Sequence, residues 1–194
     1  MNRGIITLVW GIAMSVMLVA FGVKAVEVPV IEETPTEKKE VFIDDYSLIK
    51  EAQAYLNEKG VNVPDDIRSE CEAAGRMFDV SPELLEALAW KESRFVRTAE
   101  NGVCKGIMQI NTNCHAERLS VYGMDILSIH SQIYTAASLL SELAVDLGRE
   151  GEPADAGAII AAYHGENNPY KETPSNYTET VLRVSAALER AHGK

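Results

Sequence analysis

Apolar residues recur at intervals of three and four through most of the chain beyond residue 45, in runs separated by turn-forming residues, which is the pattern of amphipathic helices. Residues 46–58 bring Leu48, Ile49, Ala52 and Leu56 to one side and stop at Gly60, predicting a short helix. Pro64 and Asp65 open a second stripe of Ile67, Cys71, Ala74 and Phe78. Ser81 is a cap and Pro82 a first-turn residue for a third helix, on which Leu84, Leu85, Leu88, Ala89 and Phe95 share one arc. Residues 112–119 predict a short helix. A long one follows, carrying Ile129, Ile133, Ala136, Leu140, Leu143 and Leu147 and ending at Gly148 and Gly151. Residues 153–163 are small and apolar, as suits a helix packed closely in a core. Residues 164–174 have the composition of a surface loop, and Ser175 caps a last helix with a stripe of Tyr177, Val181, Val184 and Leu188. Strand-like alternation is absent, so the predicted fold is mostly α.

The third helix carries the feature around which the rest is read. Glu92 falls inside its apolar arc, whereas Glu83 and Glu86 are expected on the opposite side with Arg94, in water. An ionised carboxylate in an apolar setting is costly, so such a group holds its proton towards neutral pH and serves as a general acid. The alternative is a rim position, with Glu92 paired to Lys91 or Arg97. The segment Gly106-Ile107-Met108-Gln109-Ile110-Asn111 follows, opening with a residue that permits close backbone approach and setting the Gln109 amide between apolar neighbours. It reads either as a turn that presents Gln109 to a ligand or as a short strand with Gln109 exposed.

The N-terminus differs in kind. Arg3 precedes an uncharged apolar run over residues 4–23 that ends at Lys24, which predicts an export segment: either a removed signal peptide or an anchor long enough to span a bilayer. Residues 26–45 are acidic and proline-containing without period, as in a solvated linker.

Composition narrows the function. The 194 residues hold one globular domain and a modest appendage. A net charge of -11 argues against nucleic acid, since no phosphate backbone would be neutralised. An anionic substrate would likewise have to be held by shape and hydrogen bonds. Three cysteines allow one internal disulfide. Cys71 reads as a buried thiol, and Cys104 and Cys114 flank the MQI segment and would close a short loop in an oxidising compartment. A zinc site from Cys104, Cys114 and His115 lacks any paired C-x-x-C spacing to support it.

The Glu92-Ser93 pair ending a helix, followed within about a dozen residues by a G-[IL]-M-Q-[IL] segment, resembles the soluble lytic transglycosylases. The likeness runs over roughly residues 64–191. It implies a lysozyme-like helical domain at 64–194, behind a signal or anchor at 1–25, a linker at 26–45 and an accessory helix at 46–63. It further implies an enzyme that cleaves the β-1,4 bond between N-acetylmuramic acid and N-acetylglucosamine in peptidoglycan, outside the cytoplasm, to 1,6-anhydro ends and with no cofactor or metal. By the same resemblance Glu92 is the catalytic acid, and Ser93, Met108, Gln109, Tyr163, His164 and Tyr177 are substrate-binding candidates. Ala161-Ala162-Tyr163 matches the start of the family's A-A-Y-N-[AS]-G helix, but His164, Gly165 and Glu166 replace the residues that usually follow. Ala99-Glu100-Asn101-Gly102 stands in place of the usual S-x-x-G. These departures leave two other outcomes: a hydrolytic muramidase in which Glu100 or Glu166 assists water, and a non-catalytic wall-binding module.

Overall fold

The computed structural model describes residues 45–123, 125–149 and 154–194; the expected export segment and almost all of the linker lie outside them. Among the described residues no helix is long and apolar enough to cross a membrane. Among the described residues seven helices run in chain order as α1 (Asp45–Lys59), α2 (Asp65–Phe78), α3 (Pro82–Ser93), α4 (Thr112–Tyr122), α5 (Ile129–Arg149), α6 (Ala156–Tyr163) and α7 (Asn176–Ala191). Between α3 and α4 lies an antiparallel sheet of three two-residue strands, β1 (Glu100–Asn101), β2 (Cys104–Lys105) and β3 (Ile110–Asn111). Glu100 pairs with Lys105, and Cys104 with Asn111. The short strand offered as one reading of residues 106–111 is present as β3, but the other two strands were not expected, because two residues are too few to show a period.

Helix ends follow the local chemistry. Ser81 accepts a hydrogen bond from the Leu84 amide, and Pro82 stands at N1, where its missing N–H costs nothing. Asp155 and Ser175 cap α6 and α7 by accepting from the amides of Ala158 and Thr178. Asn111 closes β3 and caps α4 with the same side chain, whose Oδ1 accepts from the amides of Asn113 and Cys114. At the end of α2, Gly75 admits a tight return: a Cβ there would stand 2.6 Å from the Val80 carbonyl oxygen.

The core surrounds α3. Leu85, Ala87, Leu88 and Ala89 are each fully buried and Trp90 nearly so, beneath α2, α5 and α7. The α1 helix is integral to this core, since it packs on α7 and contributes Ala52 and Leu56. Encirclement of α3 overturns the expectation that Glu83 and Glu86 are hydrated; they are only 3% and 1% exposed. Each instead meets a cation from another element. Glu83 Oε1 accepts from Lys194 Nζ at 2.7 Å and His192 Nδ1 at 3.0 Å, and Glu86 Oε1 lies 3.4 Å from Arg68 Nε. Burial works to raise the Glu83 pKa, but the hydrogen bonds from Lys194 and His192 prevail and hold it at about 2. For Glu86 burial prevails over Arg68, and its pKa is raised.

Candidate active site

Four chain segments converge on Glu92. It sits in the last turn of α3. Tyr163 ends α6, and His164 is the cap after it. Tyr177 lies in the first turn of α7. The fourth segment is the turn between β2 and β3. These ends enclose a cleft of about 560 Å³ walled by the sheet, by Leu139 and Leu143 of α5, and by the end of α6.

Glu92 is half-buried, and burial raises its pKa; a hydrogen bond from Tyr177 and the electrostatic influence of His164 and Lys91 pull the other way without cancelling it. Its position at a helix C-terminus, facing the partial negative charge of the last carbonyls, acts in the same direction as burial. The Tyr177 hydroxyl donates to Glu92 Oε1. The His164 ring stacks on Tyr177, with centroids 3.7 Å apart and planes 7° from parallel, and fixes the phenol under the carboxylate. The Tyr177 phenol is itself pushed far above its usual pKa by burial and by the Glu92 charge, so it remains a donor.

The turn before β3 is built by a buried amide. Gly106 has φ of +77°, and a Cβ there would fall 2.4 Å from Gln132 Cδ, so the backbone approaches this side chain as only glycine allows. Gln132, fully buried on α5, accepts from the Met108 amide at 3.2 Å and donates to the Ile126 carbonyl at 2.6 Å. Met108 O in turn accepts from the Tyr163 hydroxyl at 3.0 Å. Gln109, at φ of 47°, spends both amide hydrogens on the carbonyls of Ala99 and Gly106. Its Oε1 is therefore the atom left to meet a ligand.

The six other site residues read from the sequence thus gather near Glu92 or support it, but two of them change role. Met108 has no exposed surface, and its backbone groups are taken by Gln132 and Tyr163. It is a strut, not a sugar contact. The Ser93 hydroxyl donates to Ile107 O at 2.9 Å and to Ala89 O at 3.1 Å, tying α3 to the turn instead of facing the cleft. Sequence reasoning missed Gln132, which looks like one more polar residue of a long helix, and it gave no role to Asn111 or Leu143 on the cleft wall.

Carboxylates other than Glu92 lie elsewhere. Glu100 is exposed and pairs with Lys105 at 2.9 Å. Glu166 faces a separate hollow beyond the 164–174 loop, where it accepts from Ser175 at 2.5 Å, Thr178 at 3.1 Å and Lys171 at 3.2 Å. The hydrogen bond from Ser175 leads in holding its pKa low. Among the described residues Glu92 is the one carboxylate on the cleft wall. Cys104 and Cys114 also border the cleft, and all three cysteines are free thiols. Those same residues with His115 do not gather as metal ligands, and no such group occurs among the described residues.

The family model described as Transglycosylase SLT domain matches residues 70–180. The chain is 32% identical over 132 residues to Protein IpgF of Shigella flexneri, covering 62% of this chain and 82% of that protein. It is 26% identical over 129 residues to the X polypeptide of Escherichia coli, covering 62% and 74%. Among solved structures it is similar to an inactive mutant of the lytic transglycosylase Slt from Pseudomonas aeruginosa, at 18% identity and a TM-score of 0.46, covering 77% of this chain and 30% of that one. With the family model spanning more than half of its length and the matched segment holding Glu92, Gln109, Tyr163 and Tyr177, the chain belongs to the transglycosylase SLT domain family, a lysozyme-like helical fold.

Proposed function

We propose that the protein cleaves the β-1,4 bond between N-acetylmuramic acid and N-acetylglucosamine in peptidoglycan without water, leaving a 1,6-anhydromuramic end. The observation that carries the proposal is that Glu92 is the one carboxylate on the cleft wall among the described residues, with burial favouring its protonated form. In the first half of the reaction the Glu92 proton passes to the glycosidic oxygen as the C1–O bond breaks. In the second, the Glu92 carboxylate takes the proton from the muramyl C6 hydroxyl as that oxygen bonds to C1. The proton inventory closes on one residue, which distinguishes the scheme from the two-carboxylate glycosidases.

Tyr177 stabilises the transient carboxylate by donating to Oε1, and His164 holds that phenol in place. Gln109 Oε1 and the cleft-facing Asn101 are placed to accept from and donate to sugar substituents. A hydrolytic route through a second carboxylate is disfavoured, because both candidates for it, Glu100 and Glu166, are engaged in ion pairs elsewhere. The substrate implies action outside the cytoplasm, and the apolar run at residues 4–23 is the expected means of export or attachment.

Mass spectrometry of the muropeptides released by the protein tests this directly. Anhydro ends are expected, with Glu92→Gln lowering kcat by about 10²- to 10⁴-fold while the variant stays folded. Reducing ends would establish a muramidase, and no release by the parent protein would leave a wall-binding module.

A further inference from the structure

The triplet His164-Gly165-Glu166, where the chain departs from the family's usual sequence after the α6 tyrosine, is built into a helix end of defined geometry. Gly165 has φ of +79°, its amide donates to Ala162 O at 3.0 Å, and the Glu166 amide donates to Ala161 O at 2.9 Å. These two bonds are the paired closure of a Schellman turn, in which a glycine takes the left-handed position and the residue after it is turned back over the helix. The turn delivers two side chains to the start of α7. His164, on the cleft wall, stacks its ring on Tyr177. Glu166, with a side chain only 10% exposed, lies in the separate hollow, where its Oε1 accepts from Ser175 Oγ at 2.5 Å and from Thr178 Oγ1 at 3.1 Å.

Those two hydroxyls bracket Tyr177. Ser175 is the cap of α7 and accepts from the Thr178 amide at 3.1 Å, and Thr178 is 2% exposed, so one carboxylate oxygen grips the first turn of the helix on both sides of the tyrosine. Hydrogen bonds from hydroxyls to a carboxylate are stronger than those between neutral groups, and the charge faces the positive end of the α7 dipole. The other oxygen, Oε2, accepts from Lys171 Nζ at 3.2 Å and ties down the intervening loop. Resting on the reading of the cleft given above, we propose that Glu166 is a positioning residue for the reaction: its carboxylate locks the first turn of α7 to the end of α6 and thereby sets the Tyr177 hydroxyl on Glu92. It touches no substrate, and its influence on the acid runs through Tyr177.

The test compares Glu166→Gln, Glu166→Asp and Glu166→Ala in the full chain, each alone and combined with Tyr177→Phe. Glutamine keeps an acceptor oxygen at the same reach and gives up the charge; aspartate keeps the charge and withdraws the oxygen by one methylene. Lys91 and His164, which also act on Glu92, are retained throughout. With peptidoglycan as substrate, the Asp and Ala variants are expected to lower kcat by about three- to tenfold, as for the weakening of one hydrogen bond, with KM near the parental value. The Gln variant should work at the parental rate. Because the Tyr177 hydrogen bond lowers the Glu92 pKa, the alkaline limb of the activity profile should move to higher pH in the Asp and Ala variants and stay in place in the Gln variant. In the Tyr177→Phe background none of the three should change kcat or the limb further. A parental rate and limb in Glu166→Asp, an equal loss in Glu166→Gln, or a full additional loss in the Tyr177→Phe background would overturn the assignment. Should Glu166→Ala not fold, the Asp and Gln variants decide it between them. If the parent releases no muropeptides, the reading of the cleft fails by itself, and carbon-13 NMR titration of the Glu92 carboxyl still decides the role of Glu166. There, a pKa raised in Glu166→Asp and parental in Glu166→Gln is expected, and a parental value in Glu166→Asp overturns it.

Discussion

Replacing Gln132 with leucine isolates the strut that holds the MQI turn. The two side chains have similar volume, so the perturbation is the loss of one buried acceptor and one buried donor. The fully buried Met108 amide and the part-buried Ile126 carbonyl then lose their side-chain partner. Each such orphan costs about 1–3 kcal/mol. Leucine returns part of this by burying more apolar surface, about 1–2 kcal/mol. The midpoints of these ranges give a net loss of about 2–3 kcal/mol, which in a domain of this size lowers Tm by about 4–12 °C. Thermal unfolding followed by circular dichroism measures it. Below the new Tm, kcat should also fall, because Met108 O is the acceptor that fixes Tyr163. The companion Gln132→Glu separates geometry from charge. As a carboxylate it still accepts from the Met108 amide but repels the Ile126 carbonyl; once protonated it can donate there again. Its deficit in stability relative to the parent should therefore narrow as the pH is lowered. A Gln132→Leu variant with parental Tm and kcat would refute the reasoning.

Other expectations follow from individual contacts. Because burial raises the Glu92 pKa, its contribution to stability is present below the unfolded value near 4.5 and is lost as pH rises through the folded value; Glu92→Gln should unfold later than the parent at pH 7, with the gap closing at pH 4. Tyr177→Phe removes a hydrogen bond that lowers the Glu92 pKa, so kcat should drop while the alkaline limb of the activity profile moves to higher pH. Glu83, held at about 2, contributes stability above its unfolded pKa that is lost as pH falls through about 2; Glu83→Gln should therefore cost about 2–3 kcal/mol in denaturant titrations at pH 7 and progressively less between pH 4.5 and 2. Glu166→Gln should leave product chemistry and kcat at parental values, since its partners lie outside the cleft.

Much of this was legible in the sequence because it depends on local chemistry. Ser81 and Ser175 stand where caps are needed, and the stripes of α2, α5 and α7 follow the helical period. Glu92 was singled out because an acid on an apolar arc has few inexpensive explanations. The same reasoning failed for Glu83 and Glu86, since a periodic stripe indicates which face is buried only when the other face is bare, and α3 is covered all round. Partnerships across the fold left no trace either: Tyr177 lies 85 positions from Glu92, and Gln132 lies 24 from Met108. Their meeting is a product of helix packing, which spacing along one chain does not encode.

The encirclement of α3 has a dynamic consequence. Its amides from Leu85 to Trp90 exchange with solvent only when α2, α5 or α7 moves away, so they report openings close to global unfolding. The acid is thereby mounted on the slowest-breathing part of the molecule, while Tyr163, His164 and Tyr177 reach it from the termini of neighbouring helices. Reshaping of the cleft around a glycan belongs to those termini, and the proton donor serves as the fixed point against which they move.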